Sequence, residues 1–95
     1  MRIDGVIWLP EIVDKLLTKH DVTTDEVEEV LHDRPQWRWA ETGNQKGEDV
    51  YAVMGQTLAG RYLVAFFVAK RPSLALVISA RDMEKRERQR YEQHR

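Results

Sequence analysis

Two arginines mark the ends of predicted strands in the second half of this sequence. Arg61 opens the apolar run RYLVAFFVA, and Arg81 closes the run LALVISA. A guanidinium keeps its proton at physiological pH and offers a planar fork of donors that matches paired phosphate oxygens. Two such groups at one end of a sheet could hold one phosphate and stabilise the negative charge that grows on it during cleavage.

The connection between the two strands decides whether these arginines meet. If the stretch KRPS forms a hairpin loop of about three to five residues, Arg61 lies opposite roughly residues 81 to 83. Both arginines then emerge at the same end of the sheet, and we predict that they share one phosphate. The alternative is that each of them bridges a local carboxylate, such as that of Asp82.

His20 is the candidate for proton transfer. It lies eight residues after Ile12 and four after Leu16, so helical spacing carries it onto the apolar face of a predicted helix. Imidazole changes charge near neutral pH, which suits a general acid or base if this end of the helix opens onto the site. The alternative is a histidine packed in the core. Lys19, beside it, could contact a phosphate or simply be solvated.

Glu48 and Tyr51 offer a carboxylate base and a phenol, but they are predicted to lie elsewhere. A two-residue hairpin turn would place Glu48 opposite Ala69, roughly 25 Å from Arg61 at about 3.3 Å per residue of strand. The two residues are therefore not expected to share a site with the arginines.

Aromatic and metal-binding patterns are weaker. Trp37 and Trp39 alternate along a predicted strand and could stack on bases, but such a pair more often belongs to a core. The three histidines lack the spacing of metal ligands, and the five glycines are too scattered for a phosphate loop. We predict neither a metal nor a cofactor.

The length and charge of the chain limit its function. Its 95 residues suit one domain, 1–95, and it has no cysteine and no apolar run long enough for a signal peptide or a membrane span. We therefore expect a cytoplasmic protein. Residues 1–60 carry six basic and twelve acidic side chains, whereas residues 61–95 carry nine and four. The second half could meet phosphate, although ordinary solvated faces would give the same asymmetry.

The elements that position these residues are helices first and strands afterwards. Pro10 suits the first turn of one helix, Thr23 and Glu26 suit a capping box for a second, and Pro35 makes Arg34 its expected end. The run QWRWA alternates as a strand does, and the runs VYAVMGQT, RYLVAFFVA and LALVISA then predict three strands of an antiparallel meander, with the middle run at its centre. With a short leading strand at GVIW, the fold class is α+β, helices packed on an antiparallel sheet.

The C-terminal segment predicts a polar helix. Asp82 is its expected cap, and the spacing predicts ion pairs between Asp82 and Arg86 and between Glu84 and Arg88. Its obvious apolar anchors are Met83 and Tyr91, eight residues apart. Such a helix should dock weakly, and its basic residues should steer RNA or an acidic partner toward the end of the preceding strand. These residues are Arg86, Arg88 and Arg90.

Several of these stretches together resemble the BrnT family, ribonuclease toxins of type II toxin–antitoxin modules. The resemblance rests on TKHDV, GEDVY, GQTLAGRYLVAFF and, most specifically, VISARDMEKRERQRYE. It implies a RelE-like fold, RNA cleavage without a metal, and neutralisation by a BrnA antitoxin that carries a ribbon-helix-helix DNA-binding domain. The positions it covers are Lys19, His20, Glu48, Tyr51, Arg61, Ser79, Ala80, Arg81, Glu87, Arg88 and Tyr91.

The expected function is a metal-independent endoribonuclease that uses the 2′-hydroxyl of RNA as its nucleophile and so inhibits translation. Arg61 and Arg81 would hold the phosphate, His20 would transfer a proton, and the other basic residues would bind RNA. The alternative is a non-catalytic domain that only binds an antitoxin-like partner. This alternative stays open because residues 74–76 are apolar where the family often carries a basic residue. Direct DNA binding without the antitoxin is disfavoured, since the stretch TTDEVEEVLHDR is acidic.

Overall fold

A computed structural model of the chain describes residues 2–32, the backbone of residues 36–41, and residues 49–94. Its elements in chain order are β1 (Gly5–Ile7), α1 (Pro10–His20), α2 (Thr24–His32), β2 (Gln36–Glu41), β3 (Val50–Gln56), β4 (Tyr62–Lys70), β5 (Leu74–Asp82) and α3 (Lys85–Gln93). The α+β class and the order of the elements are therefore as predicted. Within the described ranges, no helix combines the length and the apolar character needed to cross a membrane.

The described strands form one five-stranded sheet in the order β1-β5-β4-β3-β2. The antiparallel pairing of β3, β4 and β5 confirms the predicted meander, and β2 extends it by a fourth strand that pairs antiparallel with β3. The short β1 instead runs parallel to β5, with Ile7 beside Leu76. The sheet is therefore mixed, not purely antiparallel, and β4 lies at its centre as predicted.

Helices pack on both faces of this sheet. The α1/α2 face carries the larger core, in which the two helices meet β3, β4 and β5; its buried members are Leu16, Val22, Val27, Val30, Leu31, Val53, Leu63, Ala65, Phe67, Ala75, Val77 and Ala80. The opposite face, which we call the α3 face, has a smaller cluster of Ala52, Met54, Val64 and Tyr91. Met83, which precedes α3, also packs against this cluster, so both residues predicted as apolar anchors pack there.

A β-bulge in β5 changes which face its last residues occupy. Phe67 pairs with Val77 but Phe66 pairs with Ser79, so Ile78 is an extra residue. Because successive side chains of a strand point to opposite faces, one extra residue moves every later side chain to the other face. Arg81 consequently lies opposite Val64, on the α3 face.

Local sequence signals explain most of the element boundaries. Pro10 occupies the first turn of α1, and Asp21 ends that helix in the left-handed conformation with φ of 52°. The capping box at the start of α2 is confirmed: Glu26 N donates to Thr23 Oγ1 at 3.2 Å, and Thr23 N donates to Glu26 Oε1 at 3.0 Å. The predicted end of α2 at Arg34 lies outside the described residues.

The turn between β3 and β4 is one residue longer than predicted. Gln56 pairs with Tyr62, and Thr57 N donates to the carbonyl of Arg61 at 2.9 Å, which leaves residues 58–60 as the loop. Gly60 has φ of 93°, a conformation that only glycine adopts without strain. This glycine therefore selects a three-residue loop, in which its left-handed position ends the turn.

Candidate functional site

Arg61 lies immediately before β4 and binds acceptors from three elements. Its Nε and Nη2 donate to the carboxylate of Asp82 at 2.7 and 3.1 Å. Nη1 donates to the carbonyl of Asp21 at 2.6 Å and to the carboxylate of Glu26 at 3.2 and 3.3 Å. Nη2 also donates to the carbonyl of His20 at 3.0 Å. A guanidinium has five N–H groups, so this network engages all of them.

This network joins the end of α1, the first turn of α2 and the end of β5. The side chain of Arg61 is 25% exposed. Its hydrogen bonds hold the pKa of Asp82 below the ordinary value, partial burial opposes the shift, and the charge of His20 adds to it. His20 therefore lies within electrostatic reach of Asp82, at the partly buried last position of α1. Lys19, one residue earlier, is exposed.

Arg81 is held by a different carboxylate on the other face of the sheet. Its Nη1 and Nη2 donate to Oε1 and Oε2 of Glu87 at 2.7 and 3.0 Å. Nη1 also donates to the carbonyl of Asp82 at 3.2 Å, and the guanidinium lies 5.6 Å from the ring centre of Phe66. The hydrogen bond from Arg81 is the main cause of the lowered pKa of Glu87, and partial burial opposes it.

The two arginines therefore lie at the same end of the sheet, as predicted, but on opposite faces. Asp82 pairs with Leu63 of the larger core, whereas Arg81 pairs with Val64 of the smaller cluster. Each guanidinium contacts Asp82, Arg61 through the carboxylate and Arg81 through the carbonyl. Both guanidinium groups therefore contact Asp82, but they approach it from opposite faces of the sheet. Arg61 thus forms the ion pair with a local carboxylate, that of Asp82, that was considered as the alternative to phosphate binding.

The face of α3 next to Arg81 is basic and partly aromatic. The guanidinium of Arg88 lies 4.0 Å above the ring centre of Tyr62, and that ring meets Tyr91 edge to face at 5.9 Å. Such contacts between a cation and an aromatic face are attractive. The other predicted RNA-binding residues, Arg86 and Arg90, are exposed.

The predicted start and ion pairs of α3 were wrong. The helix is capped at Glu84 by a box in which Glu84 N donates to Glu87 Oε1 at 2.8 Å. Asp82 cannot cap it because Asp82 is the last residue of β5 and binds Arg61. Arg88 pairs with Glu92 at 3.1 Å, one helical turn ahead.

Two carboxylates of the site were missed by reasoning from the residues. Glu26 was recognised only as a capping residue, and it also binds Arg61. Glu87 entered only through the family resemblance. Glu84 and Glu87 have the spacing of a capping box, and this signal could have identified Glu87. The signal is weak because glutamate is not a favoured N-cap residue.

The remaining candidates lie apart from the arginines or outside the described residues. Tyr51 stacks on Phe67, and their ring centres are 5.7 Å apart. Phe67 is six residues after Arg61, which corresponds to about 20 Å along a strand, so Tyr51 lies far from Arg61. Glu48 and the side chains of Trp37 and Trp39 lie outside the described part of the chain. Among the described residues, no group of three histidine, aspartate or glutamate side chains could hold a metal ion.

Comparison with known proteins supports the resemblance found in the sequence. The family described as "Ribonuclease toxin, BrnT, of type II toxin-antitoxin system" matches residues 8–87, which include His20, Arg61, Arg81 and Glu87. A search among curated proteins found no match. Because the family match covers most of the chain and all of the residues around Asp82, this chain belongs to the BrnT family of ribonuclease toxins of type II toxin–antitoxin systems.

Proposed function

We propose that this chain is a metal-independent endoribonuclease that cleaves RNA and thereby inhibits translation. The observation that carries the proposal is the convergence of Arg61, Arg81 and the end of α1 on Asp82, in a chain of a ribonuclease toxin family. Arg81 is the phosphate-binding residue, since its side chain is 32% exposed and its Nε faces no acceptor among the described residues. Exposed basic residues of α3 lie next to it.

The proposed reaction uses the substrate's own nucleophile. The 2′-oxygen of one ribose attacks the adjacent phosphorus, the bond from phosphorus to the 5′-oxygen breaks, and a cyclic phosphate and a 5′-hydroxyl result. The 2′-hydroxyl loses a proton and the 5′-oxygen gains one. His20 is the proposed proton-transfer residue, and Arg81 stabilises the charge on the phosphate oxygens. Lys19, Arg86, Arg88 and Arg90 contact flanking phosphates.

Arg61 has a different proposed role because its five N–H groups are engaged. It binds the carbonyls of His20 and Asp21 and so fixes the end of α1 relative to Asp82. RNA would cross the end of the sheet beside Asp82, where the two faces meet. Arg61 is then a positioning residue and Arg81 the direct contact.

Cleavage of RNA by the purified chain tests the activity. We expect Arg81→Ala and His20→Ala to lower the cleavage rate at least tenfold, while Lys15→Ala, an exposed lysine on α1, leaves it unchanged. A 5′-hydroxyl product and a cyclic phosphate, seen by mass spectrometry, would support the 2′-hydroxyl mechanism. Linear 3′-phosphate formed directly would contradict it.

Chelation tests metal independence. The described residues offer no three-ligand group, so cleavage should continue in EDTA. Loss of cleavage that Mg²⁺ or Mn²⁺ restores would overturn this part of the proposal and would favour Glu48 and Asp49 as ligands.

We further propose that the protein is cytoplasmic, that its fold is related to RelE, and that its antitoxin is a BrnA-like ribbon-helix-helix protein. The chain itself should not bind DNA, because α2 carries acidic side chains at the exposed Asp25 and at the partly exposed Glu28 and Glu29. Sequencing of the neighbouring gene and a DNA-binding assay with and without its product test these two statements.

A second function is a non-catalytic domain that only binds an antitoxin. The observation in its favour is that Glu26, Asp82 and Glu87 already satisfy both arginines. The cleavage assay separates the two functions, since a binding domain would leave RNA intact and still bind the antitoxin.

A further inference from the structure

We propose that Glu87 is the general base of the cleavage reaction, the group that takes the proton from the attacking 2′-hydroxyl. This inference rests on the proposed ribonuclease function and adds a catalytic residue to it. The observation behind it is the position of Glu87. Its carboxylate lies on the guanidinium of Arg81, at the place where the substrate phosphate would bind.

The phosphate-binding group fixes where a base must lie. Both terminal nitrogens of Arg81 point at Glu87, at 2.7 and 3.0 Å from its two carboxylate oxygens. In an RNA conformation that is ready for attack, the 2′-oxygen lies about 3 to 3.5 Å from the phosphorus. A phosphate on Arg81 therefore brings the adjacent 2′-hydroxyl within hydrogen-bond reach of a carboxylate that lies beside the same guanidinium.

Two other carboxylates at this end of the sheet are less suited to the role. Asp82 binds Arg61 through both of its oxygens, at 2.7 and 3.1 Å. Glu84 lies 3.9 Å from Nη1 of Arg81, but its side chain is 76% exposed and accepts a backbone N–H as the cap of α3. The side chain of Glu87 is 27% exposed, so it is partly shielded from water and still open to a substrate.

Substrate binding makes Glu87 a stronger base. In the free chain the hydrogen bonds from Arg81 hold the pKa of Glu87 below its ordinary value of 4.5; partial burial opposes this shift, and the N–H of Glu84 and the charge of Arg90 add to it. A phosphate that takes the terminal nitrogens of Arg81 removes these hydrogen bonds and adds a negative charge, and both changes raise the pKa. The N–H of Glu84, 2.8 Å from Oε1, still holds the carboxylate in place.

The proton transfers balance when base and acid come from opposite faces. Glu87 takes the proton from the 2′-oxygen as this oxygen bonds to phosphorus. The bond from phosphorus to the 5′-oxygen breaks, and the 5′-oxygen takes a proton from His20; water then restores both side chains. The attacking and leaving oxygens lie roughly in line, on opposite sides of the phosphorus. Glu87 binds Arg81 on the α3 face, and His20 ends α1, which packs on the other face.

A comparison of binding with turnover tests the role of Glu87. Glu87→Gln keeps the capping box and removes the base. RNA should bind it at least as tightly as it binds the wild type, while kcat falls about a hundredfold or more. Glu84→Gln removes the other carboxylate near Arg81 and should keep kcat near that of the wild type. A kcat of Glu87→Gln at or above the wild-type value would overturn the proposal and leave Glu87 as a competitor of the phosphate only. Equal losses of binding and kcat would overturn it too, because Glu87 would then only hold Arg81 in position.

The pH profile gives a readout that a structural role would not change. Cleavage at saturating RNA is measured from pH 4 to pH 8, and circular dichroism confirms that each variant is folded. The rate of the wild type and of Glu84→Gln should fall toward acid as Glu87 takes up a proton, and the residual rate of Glu87→Gln should lack this fall. The same acid fall in Glu87→Gln would overturn the proposal. A wild-type chain that leaves RNA intact at every pH would refute the proposed function and this role with it, whereas full activity of Glu87→Gln would refute this role alone.

Discussion

Glu87 binds both terminal nitrogens of Arg81, at 2.7 and 3.0 Å, in the fork-to-fork geometry that a phosphate would use. The same carboxylate accepts the N–H of Glu84 at 2.8 Å, so the first turn of α3 is built on it. The docking of α3 on the sheet and the ion pair between Glu87 and Arg81 are therefore coupled. An RNA phosphate that binds the terminal nitrogens of Arg81 must compete with this carboxylate.

We predict that Glu87→Gln strengthens RNA binding. Glutamine keeps the capping box and loses the negative charge, so the phosphate no longer competes with a charged acceptor for Arg81. The Kd for a short RNA, measured by fluorescence anisotropy, should fall about threefold to tenfold. Glu11→Gln, which removes an exposed charge from α1, is the control. If Glu87→Gln weakened binding as much as Arg81→Ala, Glu87 would instead hold Arg81 in its binding position.

The network around Arg61 predicts a large effect on stability. Arg61→Ala leaves Glu26 and Asp82 without their cation and the carbonyls of His20 and Asp21 without a donor. Because the side chain of Arg61 is three-quarters buried, we expect the free energy of unfolding to fall by about 2 kcal/mol. This loss lies between the costs of breaking an exposed and a buried ion pair. Urea denaturation measures it.

Two comparisons make this prediction specific to the network. Arg2→Ala breaks an exposed pair with Asp4 and should not change the urea midpoint measurably. Arg61→Lys keeps the charge but cannot reach acceptors in three directions, so it should recover only part of the loss. Full recovery by lysine would mean that charge alone matters at this position.

The sequence predicted the elements better than the faces on which their residues lie. Alternation and helical spacing depend on local chemistry, and the order of helices, the meander and the capping box of Thr23 followed from it. The loop of the last hairpin also had the expected length, since Lys70 pairs with Leu74. If β4 and β5 had paired without a bulge, Arg81 would have lain opposite Leu63 on the α1/α2 face, where Asp82 lies in the structure.

The bulge at Ile78 changed that outcome, and it has no clear signature in the sequence. Neither glycine nor proline marks it, because the extra residue is set by how the two faces of β5 pack. Val77 and Ala80, three residues apart, both reach the larger core. A regular strand would have sent one of them to the other face. The regular register from which the single phosphate clamp was predicted is therefore absent for a reason of long-range packing, which spacing along the chain does not record.

The lowered pKa values of Asp82 and Glu87 predict acid sensitivity. Their ordinary values are 3.8 and 4.5, and the hydrogen bonds from Arg61 and Arg81 lower both in the folded chain. Folding thus stabilises the charged forms. This stabilisation is present at neutral pH and is lost as the pH falls through the ordinary values toward the lower folded-state values. Urea midpoints at pH 7, 5 and 3 should decline mainly between pH 5 and 3.

The double variant Asp82→Asn with Glu87→Gln should show a smaller decline over the same range, because neither replaced side chain takes up a proton. Its stability at pH 7 should be lower than that of the wild type and closer to it at pH 3. A decline as steep as the wild type's would assign the acid sensitivity to other carboxylates.

The basic side of α3 predicts how RNA affinity depends on salt. Each phosphate contact to single-stranded RNA adds roughly 0.7 to the slope of log Kd against log salt concentration. If Arg86 and Arg90 each contact a phosphate, the double change to glutamine should flatten the slope by about 1.4. Lys15→Gln, on α1, is the control and should leave the slope unchanged. An unchanged slope in the double variant would show that these arginines form only a solvated face.

Truncation after Asp82 separates the two roles of α3, namely covering part of the sheet and supplying charge. The larger core on the opposite face contains no residue of α3, so the truncated chain should stay folded. It should be less stable, because Ala52, Met54 and Val64 lose the cover of Tyr91. RNA affinity and its salt slope should both fall, since Arg86, Arg88 and Arg90 are gone. Circular dichroism and anisotropy measure the two effects.

Tyr91→Ala in the full chain is the matching variant, because it releases α3 and keeps every charge. Loss of this buried aromatic side chain, 4% exposed, should cost about 3 kcal/mol of the free energy that docks α3. Undocking also withdraws Glu87 from Arg81, so RNA affinity should hold or rise while the salt slope stays near that of the wild type. If Tyr91→Ala instead lowered RNA affinity as far as truncation does, the docked position of α3 would be part of the RNA-binding surface, and Glu87 would not act as a competitor. Unfolding of both variants would make α3 part of the core that holds the sheet together.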